Sequence, residues 1–420
     1  MEKKELFKNV IGYSDEKKTL ERIIDVLNNK EKYMKLGSNI PHGLFLYGPP
    51  GIGKTTIAKE LLNSVSNRKV YTIRKTKADG DFINYMGEVV KTAKENQPSI
   101  ILFDDLDKYA EDDDTSNCEE FVAVQSFIDD LANDDVFVIA TANNINVLPD
   151  SLLRAGRFDI KLKLNYPEEN DAYKIFNYYL KNKKIGKDVN IKNISLILGS
   201  RSCATLEKVC NQAGIYAGFK NKESIGMDEL LRAALEVSYN TNIESEKDDK
   251  YIKETAYHEA GHAVVGYLLD PKSVSFITVL KTDSNTKGYT KFHNNDYYWD
   301  DIKYMENRVI SLLAGKAATE IVFNKCDVGC NSDLDRAYEL IDRFVDNYCM
   351  NGFSSWIRDR YEQSEKVKQN KDDEIIKLIN KYYNNAKEIL IANRDKLDNL
   401  ADVLIKNKIL FQDEIENILS

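Results

Sequence analysis

The sequence predicts an α/β module, a parallel sheet plus a small helical lid, followed by a mainly α-helical domain. Up to residue 165, short apolar runs alternate with helix-spaced apolar residues, the rhythm of a doubly wound sheet. Residues 166–240 keep only helical spacing, as in Leu206, Val209, Cys210 and Ala213, or Leu230, Leu231, Ala234 and Leu235. A polar, charged run follows, so residues 241–254 read as a linker and 255–420 as a further domain. A chain of 420 residues is too long for one ordinary core, which agrees with several domains.

In order along the first 165 residues, the runs at 43–47, 70–73, 100–103 and 136–140 read as four buried strands. In the last region the segments around 275–280 and 288–292 read as a strand pair. The final helices carry core stripes, Ile375, Ile376, Ile379, Tyr383, Ala386 and Leu390, then Leu397, Leu400 and Leu404. The acidic run 111–114 reads as a solvated loop.

Charge and composition exclude several classes. The net charge is -9, with acids and bases interspersed, so no basic face is present to bind DNA or RNA. No run reaches the ~18 apolar residues of a membrane helix, and the first residues offer no hydrophobic signal segment. A cytoplasmic protein with no integral membrane segment is the expectation. The six cysteines are scattered through the chain as reduced thiols are, and Cys326 and Cys330 lack the usual zinc-site spacing.

Gly48, Pro49, Pro50, Gly51, Ile52, Gly53, Lys54 and Thr55 follow a strand and lead into a helix opening at Thr56. This is the setting of a phosphate-binding loop: backbone N–H groups converge on phosphate oxygens, Lys54 reaches the terminal phosphates, and the Thr55 hydroxyl ligates magnesium. ATP and magnesium are the implied ligands. Asp104 and Asp105 end a later apolar strand, where Asp104 would complete the magnesium shell and Asp105 orient the attacking water. Two acids at a strand end are ordinary by themselves and gain meaning beside the loop.

His258, Glu259 and His262 open an apolar helical run, and the chain holds only four histidines. Residues four apart share a helix face, so both imidazoles can bind one zinc ion with Glu259 beside it as general base. A third protein ligand is needed, and Asp333, Asp335 and His293 are the candidates. Spacing does not choose among them.

Over nearly the whole chain these motifs resemble the FtsH family of AAA+ zinc metalloproteases. The likeness begins at Phe7 to Gly12, passes through the phosphate loop, and includes Ala256 to Val264, Gly288 to Thr290, Leu313 to Ala318 and the tail from Asn393. The resemblance implies that Gly12 joins the nucleotide site and that Asn143 senses the γ-phosphate. It makes Arg154 and Arg157 arginine fingers for a neighbouring subunit, and Tyr85 and Met86 a pore loop gripping substrate. It selects Asp333 as the third zinc ligand and places Glu320 as a buried acid nearby. It further implies a homo-hexameric ring that unfolds, threads and cleaves polypeptides, with the strand at 288–290 pairing with the substrate.

The chain departs from the family pattern in four places. The family's membrane-spanning N-terminal region is missing, so an adaptor would be needed to recruit membrane substrates. Asp105 stands where the family has Glu, Cys203 replaces a glycine of the lid motif, and 348–354 is irregular. Two other functions stay open: a remodelling ATPase with a non-proteolytic zinc domain, and an ATP-gated protease with a slow motor.

Overall fold

The computed structural model describes residues 6–75, 81–109, 119–239, 252–280, 288–293, 301–325, 329–350, 352 and 365–420. The acidic run, most of the expected linker, Cys118, Cys326 and residues 351, 353 and 354 of the irregular segment lie outside them. The chain divides into two compact units, Met1–Ala233 and Ala234–Ser420.

In the first unit, β1 (Gly43–Tyr47), β2 (Lys69–Ile73), β3 (Ser99–Phe103), β4 (Val136–Ala142) and β5 (Ile160–Lys163) form a parallel sheet in the order β2-β3-β4-β1-β5. Side chains alternate along each strand, so the central strands β3 and β4 are buried at every position, apolar but for Ser99 and Thr141, and feed two cores. Leu44, Leu46, Ile100, Leu102, Phe137 and Ile139 pack with α1 (Ser14–Asn28) and α3 (Lys54–Ser64); the short α2 (Lys30–Met34) follows α1. Phe45, Ile101, Phe103, Val138 and Ala140 pack on the other face with α4 (Phe82–Glu95) and α5 (Glu119–Asp130).

Two sequence expectations change here. The run at 70–73 belongs to an edge strand, not a buried one, with Lys69, Val70 and Thr72 exposed. The edge β5 alternates exposed lysines with apolar residues and is too short to stand out in the sequence. The helices α6 (Glu169–Leu180), α7 (Ile191–Leu198), α8 (Cys203–Phe219) and α9 (Met227–Tyr239) follow. The unit division falls within α9.

The second unit is built around α10 (Ile252–Leu269), which from Thr255 to Gly266 is buried on nearly every side and, apart from its two histidines and Glu259, consists there of small, apolar or aromatic residues. The strands β6 (Val274–Thr278) and β7 (Tyr289–Phe292) pair antiparallel as expected. They are followed by α11 (Ile302–Phe323), α12 (Asn331–Asp346), α13 (Glu365–Ala392), α14 (Arg394–Asn407), β8 (Ile409–Phe411) and α15 (Gln412–Leu419). β8 adds to β6 on the side away from β7, so among the described residues β7 is an edge strand. Gly261 lets α10 approach α11 closely: a Cβ there would lie 2.6 Å from that of Ala318. No helix among the described residues is long and apolar enough to cross a membrane.

Candidate functional site

Histidines 258 and 262 stand one helical turn apart on α10, and the first turn of α12 brings Asp333 to them. Nε2 of His258 lies 3.0 Å from Nε2 of His262, and each lies 3.2 Å from Oδ2 of Asp333. Ligand atoms about 2.0–2.1 Å from a tetrahedral zinc ion stand roughly 3.3–3.4 Å apart, so the set matches one zinc centre closely. Nδ1 of His262 is 2.7 Å from the Ser311 carbonyl oxygen on α11. That oxygen can only accept, so Nδ1 carries the proton and the Nε2 lone pair faces its partners. Burial alone would raise the Asp333 carboxyl, but the imidazoles of His262 and His258 draw it far below the usual carboxylate range.

Glu259 is buried beside this cluster, and the Thr290 hydroxyl donates to its Oε2 at 2.6 Å. Burial raises its carboxyl above the usual range, against the lowering influence of both imidazoles and of Thr290. Of the rival ligands, Asp335 is exposed and His293 meets Gln412 at 3.1 Å. Cys330, buried at the start of α12, is absent from the cluster. Glu320 is a correction to the expected buried acid: it is partly exposed and held by Lys387 and Tyr383 of α13. It lies on the side of α11 that meets α13, which supplies both of its partners.

The nucleotide site assembles at the carboxyl end of β1. Gly53 caps α3 in the left-handed conformation, φ 96°, which an L side chain resists. The Nζ of Lys54 donates to the carbonyls of Gly48 and Pro49 at 2.7 and 2.8 Å and to Oδ1 of Asn143 at 2.9 Å. Oδ1 of buried Asp104 accepts from Thr55 at 3.1 Å and from Thr141 at 2.7 Å. The hydroxyl and carboxylate that a magnesium ion needs are thereby adjacent.

Tyr13 belongs to no motif in the sequence, yet its hydroxyl donates to the carbonyls of Ile52 and Asn165 and so supports the loop. Gly12 beside it packs against Asp171. The N-terminus of α8 abuts the loop too, with the Ala204 N–H donating to Gly51 and the Cys203 thiol to Ile52. Pro50 lies within the loop, and Thr56 in the first turn of α3.

Three expectations change in this unit. Tyr85 and Met86 lie inside α4, not on a loop; Tyr85 is half-exposed while Met86 is fully buried among Phe82 and Val90, so helical spacing turns Met86 into the core. Arg154 is exposed, whereas Arg157 forks onto Asp129 at 2.7 and 2.8 Å and is committed within its own chain. Asp105 does not stand free for water: its Oδ2 is 2.7 Å from Lys108 and 3.3 Å from Arg74.

Residues 44–166 match the ATPase family associated with various cellular activities (AAA), and 245–418 match peptidase family M41. An ATP-dependent zinc metalloprotease FtsH 1 of Petrotoga mobilis is 30% identical over 99% of this chain and 68% of its own length. The chain belongs to the FtsH family. Within it, an FtsH 2 of Thermoanaerobacter sp. is 29% identical over 98% of the chain and 82% of the relative, and the Bacillus subtilis FtsH is 28% identical over 98% and 69%. As an FtsH-type enzyme the chain carries out ATP-dependent proteolysis of protein substrates with zinc and ATP as cofactors.

Proposed function

We propose that His258, His262 and Asp333 hold the zinc ion of this FtsH-type protease and that Glu259 is its general base. The convergence of two Nε2 atoms and one carboxylate oxygen at 3.0–3.2 Å, beside a buried Glu259, carries this reading. Bound there, zinc supplies a Lewis acid that polarises the scissile carbonyl and acidifies water. Glu259 accepts the proton of the attacking water and returns it to the leaving amine, with Thr290 holding the carboxylate in place. The edge strand β7 pairs with an extended substrate through backbone hydrogen bonds, which gives broad sequence tolerance.

In the motor, the loop from Gly48 to Thr56, with Gly12, binds ATP, Thr55 and Asp104 hold magnesium, and Asn143 senses the γ-phosphate. Arg154 serves as the finger for a neighbouring subunit of a homo-hexamer, and exposed Tyr85 offers the aromatic contact to substrate. Residues 1–165 form the ATPase core, 166–240 its lid, 241–254 the connection and 255–420 the peptidase, in keeping with the two matched ranges. The protein works in the cytoplasm, with an adaptor selecting any membrane-derived substrate.

One observation favours a slow, ATP-gated motor as a second reading: Asp105 is shorter than Glu and bound by two cations. Degradation of casein and of an unstructured peptide by the parent, Glu259→Gln and Lys54→Ala, each with zinc measured, separates the readings. Loss of all cleavage in Glu259→Gln with zinc retained is expected. Peptide cleavage lost in Lys54→Ala but kept by the parent with a non-hydrolysable ATP analogue supports the gated form, and undiminished cleavage in Glu259→Gln refutes the assigned base.

A further inference from the structure

Among the described residues, one nitrogen of a charged group near the peptidase centre lacks a hydrogen-bond partner. Nη1 of Arg308, on α11, is sealed from solvent and has no hydrogen-bond acceptor among the described residues. The guanidinium carbon lies 3.6 Å from the centroid of the Phe292 ring, on β7. Stacking on an aromatic face steadies the cation but satisfies none of its N–H groups. A sealed cationic N–H group without an acceptor is costly, and a structure that keeps one calls for a ligand to complete it. Burial lowers its pKa to about 10, with Tyr304, Tyr289, Arg336 and Asp333 as its charged or titratable neighbours, so it remains a cation near neutral pH.

Its place in the fold says what the ligand is. Arg308 precedes Ser311 by three residues and Gly315 by seven, so all three lie on one face of α11. Ser311 fixes His262, and Gly315 abuts both imidazoles, so that face is turned to the metal cluster. Phe292, under the guanidinium, is two residues along β7 from Thr290, which touches Glu259. Two residues of a strand span roughly 6.6 Å and point to the same side. A polypeptide paired with the edge of β7 would therefore present one side chain near Arg308 when its scissile bond is at Glu259. A neutral carbonyl would leave the buried charge uncompensated, whereas a carboxylate matches the fork in shape and in sign.

We infer that Arg308 forms a specificity subsite for an acidic substrate side chain, Asp or Glu, two residues from the scissile bond. The inference rests on the peptidase reading above. Broad tolerance from backbone pairing is thus overlaid by one electrostatic preference.

Two measurements test it. Cleavage sites of the full-length parent are mapped by mass spectrometry on a denatured protein rich in Glu and Gln, with ATP and zinc present. Enrichment of acidic residues two positions from the cut, on one side, is expected, and cleavage without such enrichment overturns the subsite while leaving the peptidase intact. Absence of all cleavage in a zinc-loaded sample removes the peptidase reading, and the subsite with it.

Binding is read separately in the non-cleaving Glu259→Gln chain, by fluorescence anisotropy of matched peptides carrying Glu or Gln at the enriched position. The Glu peptide is expected to bind about tenfold more tightly, with the preference gone in Arg308→Met and reduced in Arg308→Lys, at unchanged zinc content. Equal binding of the two peptides to Glu259→Gln, a comparison that does not depend on Arg308→Met folding, refutes the proposal, as does a preference that survives Arg308→Met.

Discussion

A Cβ placed on Gly315 would lie 2.4 Å from Nε2 of His262 and 2.7 Å from Nε2 of His258. The zinc-facing side of α11 therefore tolerates no side chain at this residue. A methyl group would displace the imidazoles from their shared point or push the helices apart, at a cost of about 1–3 kcal/mol in packing alone. Gly315→Ala is expected to retain less than about a tenth of the parent's zinc, since a misplacement near 1 Å already spoils such geometry. Elemental analysis of the purified chain reads this directly, with ATP hydrolysis as the control for folding. A fully zinc-loaded, proteolytic Gly315→Ala would show that the helices yield freely.

The hydroxyl of Thr290 binds the Glu259 carboxylate at 2.6 Å. Hydrogen bonds to a charged group contribute about 1.5–3 kcal/mol, so their loss at the reacting base corresponds to roughly ten- to a hundredfold in rate. Thr290→Val keeps the shape of the strand residue and removes the donor. Turnover of a fluorogenic peptide should fall by that factor while bound zinc stays constant; unchanged turnover would mean that Glu259 needs no such anchor.

The two arginines of the same turn should separate cleanly. Arg157 holds Asp129 in a two-pronged ion pair and has a largely buried side chain, so Arg157→Ala should lower the melting temperature of the chain. Arg154 is exposed, and its removal should leave stability alone. If it acts in a neighbouring site, Arg154→Ala lowers ATP turnover by about a hundredfold or more with nucleotide affinity little altered. Mixing it with Lys54→Ala should restore activity in part, because some interfaces then pair an intact finger with an intact loop. A mixture no more active than its components would remove Arg154 from the active site.

Much of this was legible in the residues, for physical reasons that also mark where legibility stops. The central strands and the phosphate loop announce themselves because a doubly covered parallel sheet must be apolar throughout, and phosphate binding constrains consecutive residues. His258 and His262 were readable because one turn of helix joins them, but Asp333 lies 71 residues beyond His262, and only the fold brings it near. Thr290 and Gly315 lie in segments that carry the family resemblance, but nothing there states their roles, and Ser311 lies outside them; all three roles exist only across contacts. On α13 the expected stripe through Ile376, Ile379 and Tyr383 is rotated: Leu378 and Tyr382 are buried and Ile376 is exposed. Both stripes satisfy the three-and-four spacing, and the packing partners decide between them. The edge strand β8 pairs with β6 from 130 residues away, between Thr278 and the carbonyl of Lys408 among others, a distance local patterning does not cover.

Glu229 offers a test of the first unit that is independent of catalysis. Its fully buried carboxylate stands in the first turn of α9 and meets Nζ of Lys222 at 2.8 Å and of Lys220 at 3.0 Å. Burial would raise this carboxyl, but the two ammonium groups prevail and pull it down to about 2. A depressed carboxylate stabilises the folded chain at pH values above its unfolded pKa of about 4.3, and the contribution is lost as pH falls from there toward about 2. Because both lysines are partly exposed, solvent screens part of the attraction, so the effect should be modest. Glu229→Gln, which retains the carboxylate's size and one acceptor oxygen, should therefore melt a few degrees below the parent at pH 7. The gap should narrow steadily between pH 4.5 and pH 2.5, measured by differential scanning fluorimetry at constant ionic strength. A gap that stays constant across that range would assign the stabilisation to packing, with no part for charge.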